Sequence, residues 1–234
     1  MPIPLDQFHF KNSSIFDGLS PKEKDILNSR MTTHEYKKGQ IVFHEGAFPA
    51  GIHIVKKGKV KKYKTGTDGK EHIFYVCTSG EFMGYHALLA GEQYSDSTAS
   101  LENSVISFIL KEDFLEVLNS SSILSNYLLK NLSHEFSVLI NNITIQAQQT
   151  VHERLALSLL ILRDKYKDEV SSDGQIHITL SREDLANFVG TAKETLVRLL
   201  RELKDENLIK AEGRTIVILD PLKLAKIANY RRPY

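Results

Sequence analysis

Three polar residues in one short segment, Lys193, Glu194 and Arg198, carry the hydrogen-bonding groups that read base edges in duplex DNA. Arginine can form two hydrogen bonds with guanine, glutamate can accept one from the cytosine amino group, and lysine can bind guanine or a phosphate. Glu194 and Arg198 are four residues apart, so on a helix all three side chains project from one side. The same spacing is typical of an ordinary surface ion pair, and spacing alone leaves both interpretations open.

The residues around this segment predict two short helices separated by a glycine. Ser181 is a candidate N-cap of the first helix, with Asp184 three residues later, and Gly190 supplies the turn. Thr191 and Glu194 have the spacing of a second capping box, which predicts that the second helix begins there. Two helices in this order form a helix-turn-helix, whose second helix enters the major groove.

A β-hairpin is predicted after the second helix, because two β-rich runs flank Glu212 and Gly213. A hairpin at this place makes a winged helix, in which Lys210 and Arg214 lie where the DNA phosphates run. The hairpin therefore favours DNA binding over the ion-pair interpretation.

Composition limits the classes of protein that fit. The 234 residues are 41% hydrophobic, enough for two cores, and the formal net charge is only +1. Residues 171–234 carry 11 Lys and Arg against 9 Asp and Glu, so DNA binding depends on the placement of a few residues. No apolar run approaches the roughly 18 residues of a membrane helix, and the N-terminus lacks the pattern of a signal peptide. We therefore expect a cytoplasmic protein without a membrane partner.

Cysteine content and motifs argue against an enzyme. Cys77 is the one cysteine, so we expect no internal disulfide, no iron-sulfur cluster and no zinc-thiolate cluster. The chain has no Gly-rich phosphate loop, nucleophile elbow or HExxH, and its nine histidines lack metal-ligand spacing. No catalytic residue and no metal site are expected.

The N-terminal third consists of short β-rich runs separated by glycines, which is typical of a small barrel or roll. A short helix is predicted between Gly84 and Gly91. The candidate strands are Ile41 to Phe43, Ile52 to Val55, Val60 to Tyr63, His72 to Val76 and Val105 to Leu110.

A long helical run follows, from about Ser122 to Lys167, with apolar residues spaced by threes and fours. Its narrow apolar stripe predicts pairing with a second copy of the chain, and a dimer would place two reading helices about 34 Å apart on an inverted repeat. The stripe comprises Leu128, Leu132, Phe136, Leu139, Ile143 and Ala147.

The order of these parts resembles the Crp/Fnr family of bacterial transcription factors, named after the cyclic-AMP receptor protein and the fumarate-nitrate regulator. The resemblance covers nearly the whole chain, and its most specific pieces are KKGQIVFHEG, IHIVKKGKVKKY, SGEFMG, VHERLALSLL and LSREDLANFVGTAKETLVRLLRELKDENLI. It implies an α+β chain with a cyclic-nucleotide-binding-like β-roll, a double-stranded β-helix or jelly roll, at 1–121. A dimerisation helix and hinge at 122–152 and a winged helix-turn-helix at 153–234 complete the expected architecture.

The resemblance also implies roles for residues of the winged helix-turn-helix at 153–234, which we call the reading head. Lys193, Glu194 and Arg198 match base-reading positions, and Ala192 lacks the hydroxyl often found at its position. The remaining candidate DNA contacts are Ser181, Arg182, Thr191, Ala192, Thr195, Lys210 and Arg214.

The effector positions differ from those of cyclic-AMP binders, which use an arginine beside a serine for the phosphate and a glutamate after the short helix's glycine for the ribose. The matching residues are Tyr94 beside Ser95, and Tyr85 after Gly84. No Arg or Lys occurs from Glu81 to Leu110. Because a buried phosphodiester needs a cationic partner, we expect an effector other than cyclic AMP.

Two further effector hypotheses stay open. Leu139 and Ile140 match the positions that face adenine, and with Tyr85, His86 and Tyr94 they would suit an uncharged or aromatic metabolite or no ligand. His86 and Pro2 lie near the haem-ligand positions of the family's carbon-monoxide sensor, which makes a haem-dependent gas sensor an alternative.

An effector is expected to act by changing the dimer helix and the tilt of the reading heads about a hinge near Gln148 to Val151. The family uses a loop at Asp164 to Gly174 to contact RNA polymerase, and a plain connection is the alternative for that loop. Another alternative is a signalling module that binds a cyclic nucleotide and no DNA. It would explain the roll but not the helix-turn-helix and hairpin pattern of residues 181–219.

Overall fold

The computed structural model describes residues 3, 5–10, 19–168, 170, 171 and 173–230 of the chain. Two compact units are formed. The roll unit comprises His9–Thr65 and Phe74–Val138. The C-terminal unit comprises Met1–Phe8, Gly66–Ile73 and Leu139–Tyr234. Pro2, one of the two residues behind the haem alternative, lies outside the described residues.

The first part of the chain forms helices and strands in the order expected for a β-roll. They are α1 (Pro21–Ser29), β1 (Met31–Tyr36), β2 (Ile41–Phe43), β3 (Gly51–Lys57), β4 (Val60–Thr65), β5 (Glu71–Cys77), β6 (Phe82–Met83), α2 (Tyr85–Ala90), β7 (Ser97–Ser100), β8 (Ser104–Leu110), α3 (Lys111–Ser120) and α4 (Ser122–Gln148).

The strands make two four-stranded sheets, with the orders β1-β8-β3-β6 and β2-β7-β4-β5. In the second sheet Lys62 on β4 lies opposite Thr98 on β7 in an antiparallel pair. Two apolar clusters fill the roll unit, one around Ile54, Phe82 and Phe114 and the other around Val55, Tyr75 and Val138. The predicted roll is confirmed.

All five predicted strands are present, but the sequence analysis missed β1, β6, β7, α1 and α3. Strand β7 is buried along its whole length although its sequence is STAS, because small residues fit between the neighbouring strands. Strand β1 has the opposite character, since most of its side chains are exposed and polar. Neither strand has the hydrophobic alternation on which the prediction depended.

The long helical run is divided into α4 and α5 (Val151–Lys165). Thr150 caps α5: its Oγ1 accepts a hydrogen bond from the Glu153 amide at 3.3 Å, and Glu153 Oε2 accepts one from the Thr150 amide at 2.7 Å. This capping box stops α4 and restarts the helix. The break lies where the hinge was predicted.

Helix α4 has one face in the roll unit and a second apolar face in solvent. Leu128 is 2% exposed in the roll core, so the prediction that it belongs to the dimer stripe is wrong. The physical reason is that the roll needs one face of this helix for its own core. Leu132 is half-buried against the same core, and its place in the stripe stays a prediction. The exposed stripe instead contains Leu129, Phe136, Leu139, Ile140, Ile143 and Ala147.

The C-terminal unit continues after α5 with β9 (Ile178–Thr179), α6 (Arg182–Val189), α7 (Lys193–Asp205), β10 (Ile209–Glu212), β11 (Thr215–Ile218) and α8 (Pro221–Ile227). Its three strands pair in the order β10-β11-β9. Glu212 lies opposite Thr215, so Gly213 and Arg214 form the two-residue turn of the predicted hairpin. Among the described residues, no helix is long and apolar enough to cross a membrane.

Candidate nucleic-acid interface and roll interior

The first helix of the helix-turn-helix begins as predicted. Ser181 is the N-cap of α6, and its Oγ accepts a hydrogen bond from the Asp184 amide at 2.9 Å. The same Oγ donates to Asp184 Oδ2 at 2.5 Å. Because the hydroxyl is used in both directions, it fixes the first turn of α6.

The turn after α6 is held by a glycine and an arginine. Gly190 has φ +72°, a left-handed conformation in which its amide donates to the Ala186 carbonyl at 2.9 Å. Arg154 on α5 donates from Nε to the Val189 carbonyl at 3.0 Å and from Nη2 to the Gly190 carbonyl at 2.9 Å. A cation on the last carbonyls of a helix is favourable, so Arg154 fixes the angle at which the chain leaves α6.

The second helix begins later than predicted. Ala192 is the N-cap of α7, with extended backbone angles and no side-chain capping bond. The prediction of a capping box from Thr191 to Glu194 is therefore wrong, because Thr191 belongs to the turn that Gly190 opens and lies one residue before the cap. Since no side chain caps this end, the first amides of α7 are the donors that a phosphate oxygen could use.

The three candidate base-reading side chains all lie in solvent on the N-terminal half of α7. Lys193 and Arg198 have 53% and 63% of their side-chain surface exposed, and Glu194 is also exposed. Arg198 pairs with Glu202 one turn later, and Lys193 Nζ lies 3.5 Å from Glu183 Oε2. The surface ion pair considered from the sequence, Glu194 with Arg198, is not formed in this structure.

The remaining candidate contacts surround α7. Lys210 on β10 and Arg214 in the hairpin turn are exposed, whereas Thr191 and Thr195 are half-buried. Arg182, also half-buried, lines a groove of about 350 Å³ against α7 and β10. Burial lowers the pKa of Arg182, and its Nη1 has no hydrogen-bond partner among the described residues.

The roll interior brings Gly84 and Tyr94 of the predicted effector pocket together. Gly84 has φ +82°, and a Cβ placed there would meet the Tyr94 ring at 2.9 Å, so a larger residue would not fit. The Tyr94 ring stacks on Phe43 with centroids 3.9 Å apart. Burial, with Asp96 second, raises the pKa of Tyr94 to about 12. Ser95, by contrast, is exposed.

Other predicted pocket residues have structural partners or face solvent. Tyr85 is 1% exposed and donates a hydrogen bond to Glu135 on α4. Leu139 and Ile140 are 37% and 47% exposed. The pocket proposed from sequence is therefore only partly assembled within the roll unit.

A buried charge cluster was missed by the sequence analysis. Lys62 is 5% exposed, and its Nζ lies 3.8 Å from Asp96 Oδ2, while His86 Nε2 lies 3.3 Å from Asp96 Oδ1. Burial acts to lower the pKa of Lys62, but Asp96, Glu135 and Glu81 among its neighbours more than offset this and the pKa is raised. Burial acts to raise the pKa of Asp96, but Lys62 and then His86 bring it below its usual value.

Residues 81–110 contain no Lys or Arg, whereas pairing of β4 with β7 supplies Lys62 from an earlier strand. The signal available was a lysine within a β-rich run together with an aspartate directly before the strand that pairs with it. Its positive charge is already neutralised by Asp96.

The residues present fit haem and metal clusters poorly. His86 contacts Asp96 through Nε2, and Cys77 is completely buried among apolar side chains. Within the described part of the chain, no group of three or more His, Cys, Asp and Glu side chains has a geometry that suits a metal ion.

Two family profiles match the chain. The profile described as "Cyclic nucleotide-binding domain" matches residues 33–121, and the profile described as "Crp-like helix-turn-helix domain" matches residues 153–227. The first match covers the strands of the roll from β2 to β8 together with α3, and the second contains α6, α7 and the hairpin.

Curated proteins and solved structures are similar over nearly the whole chain. The cyclic AMP receptor protein of Thermus thermophilus is 24% identical over 218 residues, which cover 93% of this chain and 98% of that protein. The transcriptional activator protein Anr of Pseudomonas protegens is 27% identical over 237 residues and 97% of each chain. A solved Crp/Fnr-family regulator from Eubacterium rectale has a TM-score of 0.71 at 22% identity, covering 92% of this chain and 97% of that one.

Proposed function

Because the chain belongs to the Crp/Fnr family of transcriptional regulators and carries a helix-turn-helix DNA-binding domain, we propose that it is a homodimer that reads an inverted repeat. The main observation in support of DNA reading is the exposed N-terminal half of α7, where Lys193, Glu194 and Arg198 face solvent. Their donors and acceptors are complementary to guanine and cytosine edges. Arg198 and Glu194 form the proposed base-reading pair, with Lys193 beside them.

Phosphate contacts on both sides of α7 would set its register in the groove. Lys210 and Arg214 are exposed in the wing, and the uncapped first turn of α7 follows Ala192. Arg182, which lines the groove against α7, is a further proposed phosphate contact. Ser181, Thr191 and Thr195 complete the proposed contacts.

The second copy of the chain is proposed to cover the exposed stripe of α4. Leu129, Phe136 and Ile143 are each about two-thirds exposed, at 65%, 66% and 65%, and Ile140 is 47% exposed. They recur with intervals of seven, four and three residues, which keeps them on one side of a long helix. A contiguous apolar stripe of this size is costly in water and is typical of a protein interface. We propose residues 122–152 as the dimerisation element between a roll at 1–121 and a reading head at 153–234.

The proposed effector is a small molecule other than cyclic AMP. Lys62 is a buried cation in the roll, but Asp96 already neutralises it, and Glu81 and Glu135 also act on it. A cyclic phosphodiester would add a negative charge to this set of carboxylates without a free cation to balance it. The contact of His86 with Asp96 disfavours the haem alternative, and the matched helix-turn-helix domain disfavours a signalling module without DNA.

RNA polymerase is the proposed protein partner, through the loop after α5. Asp164 and Lys167 form an exposed ion pair at its start, and Val170 is 59% exposed. Residues 169 and 172 of this loop lie outside the described residues. The exposure of these residues supports such a contact.

The test is selection of binding sites from a random duplex library with the full-length protein, with Arg198→Ala and Arg201→Ala as a matched pair. Both arginines are exposed on α7 and pair with an acidic residue four positions later, but Arg201 lies a turn further from the N-terminus. The wild type should enrich an inverted repeat with half-sites about 34 Å apart. Arg198→Ala should lose about 1 to 3 kcal/mol on that repeat and relax one base pair per half-site, whereas Arg201→Ala should keep the preference.

Equal losses for Arg198→Ala on the selected repeat and on random duplex would contradict base reading. Enrichment of a single half-site without symmetry would contradict the dimer. Binding of the wild type should also weaken steeply as salt rises, since phosphate contacts release counterions.

A further inference from the structure

Phe10 enters the core of the roll from the N-terminal arm of the chain and from no strand. It is 7% exposed and belongs to the same apolar cluster as Tyr94 and Val138. Its ring stacks on Tyr75, with centroids 3.7 Å apart and planes 11° apart, and its amide donates to Tyr75 Oη at 2.7 Å. The ring and the backbone N–H group of Phe10 thus both bind Tyr75.

The arm also contacts the long helix. The carbonyl of His9 lies 2.9 Å from His134 Nε2 on α4, and Val138, one turn further along α4, belongs to the cluster that holds Phe10. His9 therefore contacts one face of α4, Phe10 shares an apolar cluster with Val138 on that face, and the opposite face carries the stripe proposed for dimerisation.

The surroundings of the Phe10 ring are polar on one side. Lys62 Nζ lies 5.7 Å from the centroid of Phe10 and 5.8 Å from that of Phe74, within the range of a cation-π interaction. Asp96 and Thr98 are 2% and 0% exposed, yet Asp96 Oδ2 and Thr98 Oγ1 have no hydrogen-bond partner among the described residues. Thr98 lies opposite Lys62, so its side chain is on the same side of the sheet.

Unsatisfied buried polar atoms of this kind are costly, and a donor from a ligand would satisfy them. Since Lys62 is already balanced by Asp96, an anion gains nothing there. The matching chemistry is an aromatic ring, for Tyr75 and Lys62, combined with an uncharged N–H group, for Tyr75 Oη or Asp96 Oδ2.

We propose that Phe10 is a tethered ligand of the effector cleft, that an uncharged aromatic small molecule with an N–H donor can take its place, and that filling of this cleft sets DNA affinity through α4. The proposal rests on the proposed function for its last step. Phe10 is outside every strand, so no sheet hydrogen bond has to break when the arm leaves. Displacement removes the ring beside Val138 and releases the His9 carbonyl from His134.

The binding test uses the full-length Phe10→Ala variant and the probe N-acetyl-L-phenylalaninamide, which supplies a benzyl ring and an N–H donor. Calorimetry should show saturable binding of one probe per chain to Phe10→Ala at probe concentrations where the wild type shows none, because Phe10 competes in the wild type. N-acetyl-L-alaninamide, which lacks the ring, should not bind. Adding Tyr75→Phe to Phe10→Ala should weaken probe binding about 3- to 10-fold, since one hydrogen bond is lost.

Phe114→Ala is the matched control, because Phe114 is completely buried in the other apolar cluster of the roll unit. It removes a phenyl ring elsewhere and should not bind the probe. Phe10→Leu keeps an apolar side chain and should bind the probe more weakly than Phe10→Ala. Thermal melts of all the variants report whether each is folded.

The coupling test measures affinity for the selected inverted repeat. Phe10→Ala should bind it at least about five-fold more weakly than the wild type, and the probe should restore the affinity, because typical couplings between sites lie in this range. Phe114→Ala should not respond to the probe. Absence of probe binding to folded Phe10→Ala would overturn the tethered ligand whether or not the protein reads DNA, and probe binding with unchanged DNA affinity would overturn the coupling. If the wild type enriches no repeat, the proposed function fails, while the calorimetric test of the cleft stands by itself.

Discussion

The phenol of Tyr85 donates a hydrogen bond to the carboxylate of Glu135, inside the roll unit, where the two residues are 1% and 7% exposed. Tyr85 is the first residue of the short helix α2, and Glu135 lies on α4, so the bond joins these two helices. Lys62 is influenced by the charge of Glu135 as well. Tyr85 thus serves as a link between the short helix and the long helix.

Tyr85→Phe should lower the free energy of unfolding by about 1 to 3 kcal/mol, because it leaves a buried carboxylate with one partner fewer. Urea unfolding followed by circular dichroism measures the loss. Glu135→Gln should cost less, since the amide oxygen still accepts from the phenol. A double variant Tyr85→Phe with Glu135→Leu that costs as much as the sum of its single variants would show that the bond contributes no coupling.

Phe136→Glu should convert the proposed dimer to a monomer, because it places a charge in the exposed apolar stripe of α4, where Phe136 is 66% exposed. Sedimentation velocity measures the mass, and binding to the inverted repeat should fall with it. Ser137→Glu is the matched control, since Ser137 is the next exposed residue on the same helix and lies outside the stripe. A dimer that survives Phe136→Glu would contradict the proposed interface.

Gly190→Ala should destabilise the reading head by about 1 to 2 kcal/mol, because Gly190 has φ +72° and an added Cβ would lie 2.8 Å from Gln146 Oε1. DNA affinity should fall equally on all sequences, since the turn orients the whole of α7. Gly91→Ala has a similar φ, +70°, with no atom within 4 Å of the added Cβ, so it carries the backbone strain alone. It should lose stability and keep DNA affinity, as thermal melts and filter binding can measure. If Gly91→Ala lost DNA affinity too, general destabilisation would explain both.

The reading head could be predicted from sequence because its determinants are local. The N-cap of Ser181, the turn at Gly190 and the hairpin after Ile209 each depend on residues within a few positions. The start of α7 was predicted wrongly because two overlapping local patterns competed, Thr191 as a cap and Thr191 as part of the turn, and β9 and α8 were not predicted.

The roll interior could not be predicted in the same way, because its chemistry is assembled from distant strands. Lys62 meets Asp96 only through the pairing of β4 with β7, and Phe10 meets Tyr75 across 65 positions of sequence. The prediction for Leu128 was wrong for a related reason, because this residue has the periodicity of a dimer contact but packs in the core of the roll unit. Periodicity identifies an apolar face and does not say which partner covers it.

His53 makes the stability of the roll depend on pH. Its ring lies between Phe43 and Phe108, with centroids 5.4 and 4.9 Å away, and its Nδ1 has no hydrogen-bond partner among the described residues. Burial lowers the pKa of His53 from 6.5 to about 4. The folded chain therefore holds this imidazole neutral at pH values where the unfolded chain protonates it.

The sign of the effect follows from proton binding. Between pH 6.5 and 4 the unfolded state binds the proton and the folded state does not. The contribution of neutral His53 to the free energy of unfolding is therefore fully present above pH 6.5 and is lost as pH falls towards 4. The full loss is roughly 3 kcal/mol, at about 1.4 kcal/mol per pKa unit. His53→Phe, which keeps an aromatic ring between its neighbours, should remove this part of the pH dependence of urea unfolding. Phe43→Leu disturbs the same packing without removing the titrating group and should keep the wild-type slope, so equal slopes in the wild type and His53→Phe would show that another group is responsible.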